Sequence, residues 1–166
     1  KKQKISKRRM AEQGQYNAPC ALYGYRKDKK DKHHLVIHEE TAAIVREIFA
    51  MVIAGLGTTK IAKSLNERKV SCPSKAQYLN GYTRQWNSYG SECFWGADMI
   101  RSIIRDERYI GTMVSLKERV FRGKIIANPE SKWIKVENTH EAIVSHEIYI
   151  EAVSKLKVQE YHQHQY

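Results

Sequence analysis

The sequence predicts a mainly α-helical domain with short β elements, of the helix-turn-helix or winged-helix-like kind. Apolar residues recur at helical spacing at Ala42, Val45, Ile48, Phe49, Val52 and Ile53, at Ile61, Ala62 and Leu65, and at Ile100, Ile103 and Ile104. Between and after these stripes lie runs too short for helices, punctuated by Gly55, Gly57, Gly111 and Gly123. At 166 residues the chain suffices for one domain with a core, or for a domain with a linker and an appended small element.

The opening KKQKISKRRMAEQGQ is charged and helix-permissive, with Gly14 as its stop signal. Asn17, Pro19 and Gly24 then break the helix, and Tyr23, Tyr25 and Leu35 to Ile37 predict short extended pieces around the polar turn KDKKDKHH. The first core helix runs from Glu39 to Ala54. Thr58 or Thr59 is expected to cap a second one reaching about Asn66, where the small Ala62 allows close helix approach. From Ser71 to Cys93 the chain reads as a loop or irregular hairpin bearing Tyr78, Tyr82, Trp86 and Tyr89. A third amphipathic helix follows Trp95, with Arg101, Arg105 and Arg108 away from its isoleucines. Tyr109 to Leu116 reads as extended, Gly123 as a turn, and Trp133 to Val136 as a strand. Ser145 to Lys157 predicts a last helix whose inner positions are Ile148, Ala152, Val153 and Leu156.

The formal net charge is +11 and the pI near 9.6, which favours polyanions as partners. A membrane surface fits poorly, because Lys1 to Arg9 offers only Ile5 to insert. No apolar run approaches the ~20 residues that span a bilayer, and the basic start lacks a signal peptide's apolar core. The expectation is a soluble, cytoplasmic protein. Cys20, Cys72 and Cys93 are odd in number and far apart, so a disulfide framework is not predicted and a reducing compartment fits. Neither paired CxxC nor HExxH occurs, so His33, His34 and His38 near Cys20 read as a polar turn, and His162 and His164 as a frayed end. No cofactor or metal is expected.

Catalytic chemistry finds little support. No serine or cysteine sits in a recognisable nucleophile-base arrangement, and there is no Walker-type loop or dinucleotide fingerprint. His140-Glu141 and His146-Glu147 fit capping and surface roles better than acid-base work. By contrast, the stretch from Gly57 to Gly111 sets a short helix carrying IAKSLN before a basic helix, the order in which helix-turn-helix proteins brace on the backbone and enter the major groove. Arg101 and Arg105, one turn apart, then reach guanine edges or phosphates.

The residues resemble the recombinase domain of the large serine recombinases, the family of phage integrases and transposon resolvase relatives. In order, the resemblance rests on YGYR at Tyr23 to Arg26, IVREIF at Ile44 to Phe49, GLGTTKIAKSLNERKV at Gly55 to Val70, Trp95 with Ile100, Ile103, Ile104, Tyr109 and Gly111, and HEAIVSHEIY at His140 to Tyr149. It implies a bacterial parent that cuts and rejoins DNA through a phosphoserine made by a resolvase-like domain, assembling as dimers that pair into tetramers. It further implies that residues 1–14 end a linker helix, 15–114 form the DNA-binding core, and 115–166 form a β-hairpin and helix leading toward a zinc ribbon. Leu22, His38 and Asp106 depart from the family's usual proline, acidic cap and asparagine, which leaves local capping open.

The expectation is therefore double-stranded DNA binding at an attachment site, by a stretch that is not itself an enzyme. Phosphate contacts are assigned to Lys4, Lys7, Arg8, Arg9, Arg26, Thr58, Thr59 and Lys60, and base readout to Arg101, Ser102 and Arg105. Two alternatives stay open: a helix-turn-helix transcription regulator, and a basic RNA-binding domain whose aromatic loop stacks unpaired bases.

Overall fold

The computed structural model describes residues 2–79 and 93–163, with side chains from Ile5 to Tyr161. Six α-helices and six short strands occur among the described residues. They are α1 (Lys2–Glu12), β1 (Tyr25–Lys27), β2 (Leu35–Ile37), α2 (Glu39–Ile53), α3 (Thr58–Glu67), α4 (Pro73–Leu79), α5 (Ala97–Ile104), β3 (Met113–Ser115), β4 (Glu118–Phe121), β5 (Lys124–Ala127), β6 (Ile134–Val136) and α6 (His146–Gln163). The strands form separate antiparallel pairs, β1 with β2, β3 with β6 and β4 with β5.

The apolar stripe of α2 decides where the core lies. Ala42, Val45, Ile48, Phe49 and Val52 are all fully buried, on a helix that packs against α6, α5 and α3. Glu39 and Glu40 occupy the first turn, where carboxylates meet the positive end of the helix dipole. His38 is the N-cap residue but gives the backbone no side-chain bond; its Nδ1 instead meets the Thr41 hydroxyl at 2.9 Å. At the other end, Gly55 and Leu56 donate their N–H groups to the Val52 and Met51 carbonyls at 3.0 Å, closing the helix.

Several expectations are corrected. Gly57, not a threonine, is the N-cap residue of α3, and Thr58 is its first helical residue and buried. Part of the expected 71–93 loop is the helix α4, begun by Pro73 at the position where a missing N–H costs nothing; Tyr82, Trp86 and Tyr89 lie outside the described residues. Cys72 and Cys93, expected to be unpaired, form a disulfide with a Cα separation of 6.4 Å. Tyr109 sits in a 3-10 turn over Glu107–Ile110 rather than in extended chain. On α6, Ala152 and Leu156 are buried as expected, whereas Ile148 is exposed and its inward role falls to Tyr149, which faces Phe49. His162 lies within α6, and His164 lies outside the described residues.

The chain turns from α5 into β3 at a tight corner. Asp106 accepts the Arg108 backbone N–H and ion-pairs the Arg108 guanidinium. Tyr109 is buried beneath it, stacked on Tyr25 and edge-on to Phe49. Gly111 has φ +84, and a Cβ there would lie 2.7 Å from the His140 carbonyl oxygen.

His140 itself is buried. Its Nε2 lies 2.6 Å from the Arg108 carbonyl and its Nδ1 2.7 Å from the Thr139 hydroxyl. Burial lowers its pKa, so at neutral pH an uncharged ring donates Nε2–H to that carbonyl. His140 is a strut of the corner.

The backbone makes two stability predictions. Gly111→Ala should destabilise by at least about 2 kcal/mol, combining left-handed strain with a backbone clash. Lys69 closes α3 at φ +56, with its N–H bonded to Asn66 and that of Val70 to Leu65, so Lys69→Gly should relieve strain, gain up to about 1 kcal/mol and raise the melting temperature by about 2–4 °C. Urea and thermal unfolding measure both; a neutral Gly111→Ala would contradict the corner geometry.

Candidate nucleic-acid interface

α5 has its orientation fixed before its own side chains are considered. The Asn66 side chain, at the end of α3, accepts the Trp95 N–H at 2.8 Å and donates to the Trp95 carbonyl at 3.0 Å. The Trp95 indole is buried edge-on to Tyr23 and donates to the Val70 carbonyl at 3.0 Å. The Cys72–Cys93 bond ties the same two chain segments again. α5 is therefore held at its start by side-chain bonds to the end of α3, and through its length by Ile100, Ile103 and Ile104 in the core.

The opposite face of α5 is polar and looks outward. Asp98, Arg101, Ser102 and Arg105 line a surface cleft with Asp106, Arg108 and Lys117. Arg101 Nη1 lies 2.6 Å from Asp98, and Arg105 Nη2 lies 2.6 and 2.5 Å from the two carboxylate oxygens of Glu160 on α6. Arg101 Nε is 3.6 Å from the same Glu160. Both arginines assigned to base readout thus carry acidic partners in the free protein. Ion pairs this open to solvent are worth under about 1 kcal/mol, so exchanging a carboxylate for a phosphate or a guanine edge costs little.

The assigned residues are scattered relative to this cleft. Arg101, Ser102 and Arg105 lie together in it. Lys7 on α1 lines a neighbouring cleft that shares Arg108, with Gln15 to Ala18 and Met113 to Leu116 forming its other walls. Arg8 and Arg9 are exposed on α1, Arg8 being paired to Glu12 at 2.9 Å. Lys4 belongs to α1, and its side chain lies outside the described residues. Arg26 on β1, and Thr59 and Lys60 at the start of α3, are exposed but line neither cleft. Thr58 is 3% exposed, which removes its hydroxyl from any surface contact.

Two basic residues join the cleft that pattern reading did not assign to DNA contact, beside the acidic Asp98 and Asp106. Arg108, three residues beyond Arg105, borders the clefts of both α1 and α5. The helical stripe already sets it away from the isoleucines, but its guanidinium is aimed by the corner at Asp106, beyond the end of α5. Lys117 comes from the far side of β3. Of the clustered histidines, His33 sets Nδ1 2.9 Å from the Tyr16 carbonyl, and among the described residues no group of three or more His, Cys, Asp or Glu side chains is placed to hold a metal. No described helix is long and apolar enough to cross a membrane.

Comparison with known proteins adds to this geometry. The family model described as Recombinase matches residues 39–159. No curated protein matches the chain. Among solved structures, one from work on the sequence requirements of the Listeria innocua prophage attP site aligns with a TM-score of 0.60 and 15% identity, over 95% of this chain and 52% of that one. Another, a crystal structure of an LSR–DNA complex, aligns with a TM-score of 0.60 and 15% identity, over 96% of this chain and 39% of that one. The chain thus spans about half or less of these structures, and at such identity the likeness is one of fold.

The anchoring of α5 is open to test through Asn66. Asn66→Ala removes two part-buried hydrogen bonds and strands the Trp95 N–H, so stability should fall by about 2 kcal/mol. The indole should also become more accessible to a fluorescence quencher; unchanged quenching and stability would show that α5 is held without this clamp.

Proposed function

The chain belongs to the recombinase family, and we propose that it is the recombinase domain of a large serine recombinase and binds duplex DNA as the attachment-site recognition part of such an enzyme. The observation that carries this reading is the outward face of α5: Arg101, Ser102 and Arg105 on a helix locked to the core, in a cleft that Arg108 and Lys117 extend. A rigid helix with guanidinium groups one turn apart is suited to the donor and acceptor pattern of a major groove. We take α3 and α5 as the two helices of a helix-turn-helix arrangement. The net charge of +11 supplies the sequence-independent attraction that brings a duplex to that face.

In this reading Lys4, Lys7, Arg8, Arg9, Arg26, Thr59, Lys60 and Arg108 meet phosphates, while Arg101, Ser102 and Arg105 read bases. Residues 1–14 then act as an arm along the duplex, 15–114 as the DNA-binding core, and 115–166 as the hairpin and helix that follow it. We assign no cleavage chemistry to this stretch. Dimer and tetramer formation on DNA belongs to the parent enzyme on the same reading. For the RNA-binding alternative, Tyr78 of the aromatic loop is exposed on α4, whereas Tyr82, Trp86 and Tyr89 lie outside the described residues, among which no stacking platform carries that reading.

Selection of bound duplexes from a random-sequence pool would supply a probe. On the selected duplex, Arg101→Ala and Arg105→Ala should each weaken binding roughly 10- to 100-fold and relax discrimination at one or two positions, in keeping with about 1–3 kcal/mol per base contact. Glu160→Gln should act in the opposite direction, tightening binding several-fold by freeing the Arg105 guanidinium, while Arg101 keeps its pairing with Asp98. Unchanged affinity and selectivity in both arginine variants would remove α5 from the role of reader.

A further inference from the structure

The hairpin β4–β5 has no place in the core. Its register pairs Glu118 with Ala127, Arg119 with Ile126, Val120 with Ile125 and Phe121 with Lys124. The connecting residues Arg122 and Gly123 both have positive φ, at 50° and 77°, the conformation of the tight turn that matches strand twist. Because cross-strand partners share a face, Val120 and Ile125 lie side by side on one surface, and Phe121 and Lys124 on the other. None of these four is covered: Val120 is 67%, Phe121 52% and Ile125 71% exposed, and Lys124 is exposed too.

The root of the hairpin, by contrast, is built firmly. Asn128 donates its N–H to the Lys117 carbonyl and its side-chain amide to the Leu116 carbonyl, both at 2.7 Å. The Trp133 indole donates to the Asn128 carbonyl at 3.0 Å, and the Lys117 ammonium stands 5.2 Å over the Trp133 ring. An apolar blade on a bonded root is costly to leave in water, since a two-stranded ribbon is marginal without a surface to pack on.

The charges around that blade select its occupant. Lys117, Arg119, Arg122 and Lys124 surround it against a single acid, Glu118. The Arg119 and Arg122 guanidinium carbons lie 5.9 and 5.4 Å from the centre of the Phe121 ring, so the aromatic tip is bracketed by cations. A second copy of a chain carrying +11 is repelled by such a surface, whereas a polyanion with flat apolar faces satisfies both its parts. Lys117 also lines the α5 cleft beside Arg101, Ser102 and Arg105. On the DNA-binding reading, a duplex seated on α5 through its major groove would run past Lys117 at the hairpin root, with the neighbouring minor groove the one within the hairpin's reach.

We propose that the β4–β5 hairpin is a second DNA-contacting element, a wing whose arginines engage phosphates beside the minor groove while the Phe121 ring at its tip rests against the bases between them. The inference rests on the DNA-binding reading of α5 and extends it to residues that reading does not use. Apolar side chains at a base step are the means by which minor-groove proteins bend or unstack a duplex. The hairpin thereby adds sensitivity to DNA shape beside the hydrogen-bond readout of α5.

The test uses the full 166-residue chain and a duplex selected from a random pool, with affinity measured across a salt series. Phe121→Ala should weaken binding about 10-fold with the slope of log K against log salt unchanged, because an apolar side chain releases no counterions. Arg119→Ala combined with Arg122→Ala should flatten that slope by about two, at roughly 0.9 for each phosphate no longer neutralised. A 2-aminopurine placed at the contacted step should brighten on binding of the wild-type chain and stay dark with Phe121→Ala. All three side chains stand in solvent, so the thermal unfolding of the variants should coincide with that of the wild type.

Absence of selectable duplexes for the wild-type chain would defeat the DNA-binding reading itself. Duplex binding by the wild type with the same affinity, slope and fluorescence in both hairpin variants would overturn the wing alone. So would sedimentation showing that Phe121→Ala abolishes self-association of the free chain, or loss of binding to anionic phosphatidylserine vesicles with duplex binding intact.

Discussion

Tyr109 lies wholly inside the protein, its ring between Tyr25 of β1 and Phe49 of α2, and its carbonyl accepts the N–H groups of Ile143 and Val144 at 2.9 and 3.2 Å. The Tyr25 hydroxyl crosses the same junction to the Glu141 carbonyl at 2.8 Å. The first hairpin, the longest core stripe and the segment leading into α6 are thus pinned to one residue. Burial drives the Tyr109 hydroxyl far above its ordinary pKa, so it never charges in a working pH range. The backbone makes this possible only by folding back beside His140, which is why the position two residues on must lack a side chain.

That corner also sets the chemistry of the surface above it. α5 ends at Ile104, and the Arg105 carbonyl accepts the Tyr149 hydroxyl at 3.1 Å, so the outward arginine is fixed through its backbone to α6. The next residue, Asp106, orients Arg108. Asp98, Asp106 and Glu160 interleave with Arg101, Arg105, Arg108 and Lys117, so the cleft is nearly balanced in charge although the chain is strongly basic. On the DNA-binding reading, general attraction comes from α1 and the exposed lysines. The cleft instead offers guanidinium groups whose direction is set by carboxylates, an arrangement suited to discrimination more than to bulk affinity.

How far the sequence reveals this depends on the range of the forces involved. α2, α3, α5 and α6 were legible because each buries a stripe whose spacing is local, and Ile100, Ile103 and Ile104 then place Arg101 and Arg105 outward by geometry alone. The pairing of Arg105 with Glu160 spans 55 residues, and no local pattern encodes it. Cys72 and Cys93 stand 21 apart in a set of three, which gives parity arguments nothing to hold. α4 did leave a signal in Pro73, which favours a helix start, but the polar residues around it read equally as loop. β4 and β5 leave little local signal for the opposite reason: with both faces exposed no alternation marks them and only Gly123 betrays the turn, so the hairpin expected within residues 115–166 comes from the resemblance.

The disulfide and the Asn66 clamp bear on that stretch in a further way. Asn66 fastens Trp95 to the end of α3, and Cys72 joins Cys93 across residues 73–92. The angle between α3 and α5 is therefore fixed by contacts at the two ends of the intervening chain, whatever lies within it. Closing a loop costs entropy that grows only slowly with its length, so residues can be added there without moving the outward face of α5. A helix-turn-helix normally sets the direction of its second helix by keeping the turn short. On the reading of α3 and α5 as such a pair, a side-chain clamp and a covalent bond take over that task, which frees the connection to vary in sequence while Arg101 and Arg105 keep their place.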